Sequence, residues 1–329
     1  MIFINTQIRL LITLPMLVGI AFAESDKASV ERMFQSARQM SDIRTNGAPS
    51  FRLEGNLRII PKAPGQETTG RYTEIWLSQT KWRREVETSS FHRVEIGGAN
   101  RKWLVDTGTG GPDTVFHSDL TLLFSPANPR ITGIAERKLD ETAATCVKSR
   151  TGWSRNVDCL DDQTGFFLLR EERRTEGNGG HHSCVYRNYQ KFADRWFPRT
   201  IRCTNDPGDD IELTISKLSA EASVEESLFS KPEGAIETAN CLGRAMRPEA
   251  IHSPDPKYPD HHKENSTVVL WTIVGVDGKP QDLRVARSGG EDFDQPALDI
   301  VRQWRFKPST CDGAPVPEQI NIEIAFRKF

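Results

Sequence analysis

The chain has 329 residues, with 43 Lys and Arg against 45 Asp and Glu, and a formal net charge of −2 at pH 7. This balance gives no bulk-charge argument for binding nucleic acid or an anionic membrane surface. The mean hydropathy of −0.51 is typical of a soluble chain, and the length predicts two domains.

The N-terminus has the pattern of a secretory signal peptide. Arg9 precedes an apolar run over 10–20, and Ala21–Ala23 has the small residues of a cleavage site. A transmembrane helix needs about 20 apolar residues, whereas this run is shorter and contains Pro15. We therefore predict that residues 1–23 are removed on export and that the protein lies in the periplasm. The alternative is an uncleaved N-terminus that anchors the chain in the inner membrane.

Residues 24–235 are predicted to be one helix followed by two groups of strands. Apolar residues at helical spacing predict an amphipathic helix over Ser29–Met40. Short strand-like runs follow, separated by Gly, Pro or polar turns, which is typical of an antiparallel meander. A second helix is predicted at Ser118–Phe124, between the two groups. The predicted strands are 51–59, 71–77, 81–86, 91–96 and 102–105, then a strand near Ile134 and 144–147, 165–169, 183–189, 197–203 and 211–218.

The six cysteines all follow the predicted cleavage site. An even number of cysteines in an exported chain predicts disulfides. Proximity in sequence favours three pairs among the possible connectivities, and no pair has the CxxC spacing of a redox motif or a zinc knuckle. The favoured pairs are Cys146–Cys159, Cys184–Cys203 and Cys241–Cys311.

A connector at 236–250 is predicted to lead into a small domain at 251–329. The apolar run 268–276 ends at Asp277-Gly278, a residue pair typical of a type I′ hairpin turn.

The rest of this domain is predicted to contain a helix and a final strand. Asp294 has the chemistry of a helix N-cap, with Pro296 in the first turn and Pro308 closing the element. The final strand, 319–326, alternates apolar and polar residues and therefore has one buried face. The predicted order is β-β-α-β.

This order of elements resembles the C-terminal domain of TonB, the periplasmic part of the energy transducer for outer-membrane transport. A departure is the short polar segment 260–266, which leaves little room for that family's first helix. The residues that carry the resemblance are Tyr258-Pro259, Asp277-Gly278, Val285 with Ser288-Gly289, Asp294 with Ala297-Leu298, Trp304-Arg305-Phe306-Lys307-Pro308, Gly313-Ala314-Pro315-Val316 and the strand 320–326.

The resemblance implies a binding site on the final strand. In TonB-like domains this strand is an open sheet edge that accepts a peptide of an outer-membrane transporter, the TonB box, by β-augmentation. Tyr258 and Pro259 would then lie near the approach to the edge. The implied binding residues of the strand are Gln319, Ile320, Asn321, Ile322, Glu323, Ile324 and Phe326.

Residues 24–235 resemble the LolA/LolB lipoprotein carriers. The features shared are the leading helix, the two β-rich halves, the mid-chain helix and the closing sequence at 228–235, Leu-Phe-Ser-Lys-Pro-Glu-Gly-Ala. The resemblance implies a curved antiparallel half-barrel with covering helices, which holds either an apolar cavity or a self-packed core. The expected fold class is therefore α+β, with this half-barrel followed by the small ββαβ domain.

Motifs for catalysis and metal binding are weak. Asp106-Thr107-Gly108 matches half of an aspartic protease dyad, but no second copy exists to share the proton. His181-His182 near Cys184, and His261-His262, are predicted to be exposed loop histidines rather than ligands. The sequence contains no nucleophile elbow, Walker loop or dinucleotide fingerprint. We expect no catalytic activity, cofactor or structural metal.

Three hypotheses for function remain at this point. The leading one is a non-catalytic exported envelope protein that binds a partner's extended peptide by strand addition, in connection with outer-membrane transport. The alternative is a periplasmic carrier of a lipid, acyl chain or lipoprotein. The third is an enzyme that uses Asp106. An open sheet edge also permits a homodimer by strand exchange.

Overall fold

The computed structural model describes residues 17–45, 47–62, 66–108, 130–151, 154–174, 180–206, 209–221, 223–241, 245–259 and 264–327. Over these residues the chain is mostly antiparallel β-sheet with two α-helices. The predicted helix at Ser118–Phe124 and the histidines His261-His262 lie outside the described residues.

The first helix, α1, runs over Leu17–Ser41 and contains the amphipathic segment predicted at Ser29–Met40. It also contains Ala23, after which cleavage is predicted. Residues 1–16, with most of the apolar run, lie outside the described residues. Among the helices described, none is long and apolar enough to cross a membrane.

Thirteen strands form one antiparallel sheet, here called the large sheet. Strand β1 pairs with β2 on one side and with β12 on the other, so the two predicted groups of strands join in one sheet. The order across the sheet is β13-β5-β4-β3-β2-β1-β12-β11-β10-β9-β8-β7-β6. The strands are β1 (Phe51–Ile60), β2 (Thr68–Ser78), β3 (Lys81–Thr88), β4 (Phe91–Gly97), β5 (Arg101–Gly108), β6 (Arg130–Leu139), β7 (Thr142–Thr151), β8 (Ser154–Asp161), β9 (Phe167–Arg174), β10 (His181–Phe192), β11 (Arg195–Asp206), β12 (Asp210–Ala220) and β13 (Ile236–Ala239).

The structure corrects three of the predictions for this part. Strand β8 was not predicted, because its buried positions include the polar residues Ser154 and Asn156. His181 and His182 begin β10 and are partly buried, so they are not exposed loop residues. The predicted connector is not a plain linker, because β13 adds to the large sheet by pairing with β5.

One face of the large sheet, here called the inner face, carries Phe51, Trp76 and Trp82. These residues are direct cross-strand partners, and directly paired residues in a sheet project from the same side. They belong to a buried apolar cluster against which Met33 and Phe34 of α1 pack. The core of this part is therefore the space between α1 and the inner face.

Asp158 on β8 lies close to α1. Burial raises the pKa of Asp158 to about 6, although Arg170 and Arg38 of α1 oppose the shift. Arg170 Nε lies 3.9 Å from Asp158 Oδ1. A carboxylate with a raised pKa costs stability when it is ionised, so this cost is present at neutral pH and disappears on acidification.

We therefore predict that Asp158→Asn raises the free energy of unfolding at pH 7 by up to about 3 kcal/mol, from the difference between pKa 3.8 and about 6. The wild-type protein should gain stability as the pH falls through 6 towards 4, and the variant should lack this gain. Urea unfolding across this pH range is the measurement. Asp194→Asn, at a mostly exposed turn, is the control. A variant that keeps the wild-type pH slope would contradict the prediction.

The remaining strands and the second helix form the C-terminal part. Strands β16, β17 and β21 make a three-stranded sheet in the order β17-β16-β21, and α2 packs on one of its faces. One small sheet has the order β14-β19-β20, and another pairs β15 with β18. The elements are β14 (Ala245–Met246), β15 (Glu249–His252), β16 (Ser266–Val274), β17 (Pro280–Arg287), α2 (Glu291–Val301), β18 (Arg305–Lys307), β19 (Ser309–Cys311), β20 (Ala314–Val316) and β21 (Glu318–Phe326).

Two local predictions for this part are wrong in detail. Of Asp277 and Gly278 only Gly278 has positive φ, at 73°, so the turn is not type I′. The Gly278 N–H donates to the Gly275 carbonyl at 2.9 Å and the Gly275 N–H to the Lys279 carbonyl at 3.0 Å. These contacts are those of a three-residue hairpin loop in which the glycine takes the left-handed position after a type I turn.

Asp294 does not cap α2, because the helix already begins at Glu291 with Gly290 as its N-cap. The Asp294 carboxylate instead lies in the first turn and accepts hydrogen bonds from the Gly289 N–H, at 2.9 Å, and from the Ser288 hydroxyl, at 2.6 Å. It therefore fixes the loop that enters the helix.

The three predicted disulfides are all present: Cys146–Cys159, Cys184–Cys203 and Cys241–Cys311. The first two join direct cross-strand partners within the large sheet. The third joins the segment after β13 to the end of β19, and so ties the large sheet to the C-terminal part.

Candidate functional site

Strand β21 lies at one edge of the three-stranded sheet. It pairs with β16 over its whole length, from Val274 opposite Glu318 to Ser266 opposite Phe326. Among the described residues no strand pairs with its other side, here called the outer edge of β21. The nearest backbone contact of that kind comes just before the strand, where the Ala239 N–H donates to the Pro317 carbonyl at 3.1 Å.

The side chains of β21 alternate between two environments. Ile322, Ile324 and Phe326 are buried in the core beneath α2, and Ile320 packs at its margin. Glu323 is exposed, and Gln319, Asn321 and Ala325 are partly buried on the face away from α2. The apolar set anchors the strand to its own domain, which leaves the backbone groups of the outer edge as the available binding feature.

Tyr258 is brought close to the end of this strand. Its ring meets Phe293 edge-on with centroids 6.1 Å apart, and Phe293 meets Phe326 of β21 at 5.1 Å. The Tyr258 hydroxyl donates to the Glu264 carbonyl at 2.8 Å. Tyr258 is thus part of the core wall beside the C-terminal end of β21, and Pro259 follows it, partly buried.

The face of the small sheet away from α2 is docked on the inner face of the large sheet. Trp271 and Ile273 of β16 are 3% and 2% exposed and form an apolar cluster with Leu104 of β5. Ile236 of β13 and Ala286 of β17 complete the contact. Leu104 also lies on the inner face. It is paired with Glu95, and Glu95 is paired with Arg84, which is two residues from Trp82 on the same side of β3.

An ionic contact accompanies this apolar one. Asp106 is ion-paired with Arg93 within the large sheet, and its Oδ2 also lies 3.3 Å from Arg284 Nη1 of β17. The Arg284 guanidinium stacks over the Trp271 ring, 4.2 Å from its centroid, and bonds Asp282 at 2.6 Å. The Asp-Thr-Gly motif therefore supplies an ion pair between the large sheet and β17, since its carboxylate is held between two guanidinium groups.

A third set of contacts lies at the end of β13. The Asn240 side-chain amide donates to the Gly98 carbonyl at 2.6 Å, and its backbone N–H donates to Asn100 at 3.3 Å. Cys241 then forms the disulfide with Cys311. Together with the apolar and ionic contacts, these fix the direction in which the outer edge of β21 points relative to the large sheet.

The sequence analysis predicted that Tyr258 lies near β21. It did not predict that the face of the small sheet away from α2 packs on the large sheet. The run Val268–Val274 is apolar at every position except Thr272, so its two faces do not differ in hydrophobicity. Such a run signals a strand that is buried on both sides. That was the available signal that a second partner covers the sheet.

The C-terminal part of the chain matches a known protein family. Residues 254–327 match the family model described as Gram-negative bacterial TonB protein C-terminal. Protein TonB of Vibrio cholerae is 44% identical over an alignment of 102 positions, which covers 27% of this chain and 41% of that protein. Protein tonB2 of Pseudomonas aeruginosa is 30% identical over an alignment of 81 positions, which covers 23% of this chain and 30% of that protein. The chain thus spans less than half the length of these curated relatives.

Solved structures resemble the chain more distantly. A domain assigned to outer-membrane lipoprotein sorting from Vibrio parahaemolyticus matches with a TM-score of 0.45 and 16% sequence identity. The match covers 60% of this chain and 94% of that domain's chain. A LolA superfamily protein from Nitrosomonas europaea matches with a TM-score of 0.43 and 11% sequence identity. The match covers 61% of this chain and 97% of that protein's chain.

Proposed function

We propose that this chain is an exported, non-catalytic protein of the bacterial envelope that takes part in outer-membrane transport. Its C-terminal domain, residues 251–329, would bind an extended peptide of an outer-membrane transporter or another envelope protein. The guest would add as a strand to the outer edge of β21. The observation that carries the proposal is that β21 is the last strand of its sheet among the described residues, within the segment that matches the TonB C-terminal family.

The edge has properties that suit strand addition. It offers nine residues of extended backbone, from Glu318 to Phe326, and the apolar side chains are held in the core beneath α2. A guest would therefore gain main-chain hydrogen bonds without having to displace packed side chains. Glu323, exposed in the middle of the strand, is the charged side chain best placed to contribute specificity.

The large sheet of the N-terminal domain, residues 24–235, would serve as a scaffold that orients this edge. Lipid carriage requires an apolar surface that a ligand can reach. The described apolar side chains of the inner face, such as Phe51 and Leu57, are instead buried in a continuous cluster with α1. The docked C-terminal domain covers Leu104 on the same face. These contacts support a self-packed core.

A photo-crosslinking experiment tests the proposal. Glu323 is replaced by a photoreactive phenylalanine derivative, and the protein is produced with its signal sequence in a Gram-negative host. The matched control carries the same residue at Gln281, which is exposed on β17 at the opposite edge of the same sheet. We expect irradiation to link position 323, and not position 281, to outer-membrane transporters.

Two outcomes would count against strand addition at β21. One is equal crosslinking from both edges, and the other is no adduct from position 323 in a protein whose three disulfides have formed. Lipid extraction of the same purified sample addresses the carrier hypothesis, because stoichiometric bound lipid would favour it over the peptide-binding adaptor.

A further inference from the structure

Three potential metal ligands lie together on the large sheet, far in sequence from the TonB-like segment. Cys184 of β10 and Cys203 of β11 are direct cross-strand partners, and His182 lies two residues before Cys184 on the same face of β10. The ligand atoms of the three side chains all lie within 4.8 Å of one another. Both cysteines are buried, and His182 is partly buried.

A chain of hydrogen bonds orients the imidazole of His182. The side-chain amide of Asn205, a buried residue on β11, donates from Nδ2 to the Asp209 carbonyl at 2.8 Å. Its Oδ1 therefore faces His182 Nδ1, with which it makes a hydrogen bond. Nδ1 must then carry the proton, because Oδ1 can only accept. The remaining ring nitrogen, Nε2, is left as a lone-pair donor.

This lone pair is directed at the sulfur. His182 Nε2 lies 3.1 Å from Cys184 Sγ, although a disulfide sulfur has no proton with which to form a hydrogen bond. A histidine whose Nδ1–H is held by a carbonyl oxygen, with Nε2 free to coordinate, is the arrangement found around protein-bound zinc. The three side chains are therefore arranged as a set of metal ligands in which the disulfide bond keeps the two sulfurs from coordinating.

The second cross-strand disulfide provides an internal comparison. Cys146 and Cys159 are also direct partners, with Cα atoms 4.0 Å apart against 4.1 Å for Cys184 and Cys203. The residues two positions from these cysteines on the same face are Ala144, Lys148, Val157 and Asp161. No imidazole accompanies this pair, so cross-strand geometry alone does not create the cluster.

We propose that reduction of the Cys184–Cys203 disulfide creates a binding site for Zn²⁺, formed by His182 Nε2 and the two thiolates. A dithiol reductant supplies two electrons and two protons, which cleave the S–S bond to two thiols while the reductant becomes a disulfide. The metal then binds as both thiols release their protons to solvent. Water completes a tetrahedral set, as in zinc sites with three protein ligands. The site is independent of the proposed peptide binding at β21.

Cobalt(II) is the probe for the test, since it takes tetrahedral thiolate sites and reports them by its absorption. The full mature chain is reduced with a phosphine, desalted without oxygen and titrated with Co²⁺, and Zn²⁺ is then added in competition. We expect saturation at one ion per chain, with a thiolate-to-cobalt charge-transfer band that Zn²⁺ removes. The oxidised protein should give no such band.

Variants separate the site from adventitious binding to thiols. Asn205→Ala, which removes the support of the imidazole, should weaken binding by about 10–100-fold, and His182→Ala should weaken it further. Cys184→Ser/Cys203→Ser should abolish the charge-transfer band. The matched double variant Cys146→Ser/Cys159→Ser should leave the affinity unchanged.

Circular dichroism of each sample shows whether the reduced chain is folded. The proposal is wrong if the His182→Ala variant binds Co²⁺ as tightly as the wild type does, because binding would then come from a flexible dithiol. It is also wrong if the reduced wild type shows no charge-transfer band, or if the band persists without Cys184 and Cys203. An unfolded reduced chain that Zn²⁺ does not refold would equally overturn it.

Discussion

Replacing Glu74 by Gln is expected to lower the free energy of unfolding by about 3–5 kcal/mol, the usual cost of removing one partner from a buried ion pair. Glu74 is fully buried on the inner face, between Arg44 and Arg84. The Arg84 Nε lies 3.2 Å from Glu74 Oε1, and Arg44 Nε donates to the same oxygen at 2.8 Å. The amide would remove the carboxylate charge that both guanidinium groups share in the buried core.

The ionisation of Glu74 supports this magnitude. Burial alone would raise the pKa of Glu74, but the two adjacent guanidinium groups outweigh burial and lower the pKa from 4.5 to about 2. A shift of this size corresponds to about 3 kcal/mol in favour of the charged form. Since the folded-state pKa is depressed, the stabilisation is present above pH 4.5 and is lost as the pH falls towards 2.

Urea unfolding from pH 7 to pH 2 measures both effects. The wild type should lose stability between pH 4.5 and 2, and Glu74→Gln should start lower and lose less over the same interval. The control is Glu67→Gln, since Glu67 pairs with Arg58 at 2.7 Å on the exposed surface, where solvent screens the two charges and the pair contributes little to stability. Equal effects of the two substitutions would show that the buried triad is not a source of stability.

Loss of the Cys241–Cys311 disulfide, by replacing both residues with Ser, is expected to destabilise the chain by about 4 kcal/mol. The bond closes a segment with a sequence separation of 70. The entropy that a crosslink removes from the unfolded chain grows with the length of the closed loop. In the native state this bond also ties the C-terminal part to the large sheet, in addition to the contacts of Asn240 and Asp106.

The two shorter disulfides serve as matched controls within the same chain. Cys146–Cys159 and Cys184–Cys203 have sequence separations of 13 and 19, for which the same relation gives about 3 kcal/mol each. Denaturant unfolding of the three double-Ser variants, followed by tryptophan fluorescence, measures the order. Trp271, one of seven tryptophans, contributes a signal from the interface in which it is buried. A Cys241→Ser/Cys311→Ser protein as stable as the wild type would contradict this account.

Much of the secondary structure could be predicted from the sequence alone. The alternation of residues 51–59 and 320–326 and the spacing of the turn residues suffice to place strands, because side chains of a strand point alternately to two faces. Strand β8 escaped this reasoning since Ser154 and Asn156 are buried polar residues on it. Local propensity reports which side chains fit a pleat, and it does not report which polar groups find partners in the core.

The features of the candidate site were likewise only partly predictable from the sequence. The sequence by itself determined the alternation of β21 and the pairs Cys146–Cys159 and Cys184–Cys203, because each depends on residues near one another in the chain. It also favoured Cys241–Cys311, although these residues are 70 positions apart. The family resemblance implied the edge position of β21, and among the described strands β21 ends its sheet. Tertiary structure alone decided that Trp271 and Arg284 dock on Leu104 and Asp106. Such contacts join residues more than 160 positions apart. No local pattern encodes these contacts. They depend on the register of the thirteen strands and on the packing of one sheet surface against another, which buries the apolar side chains of both.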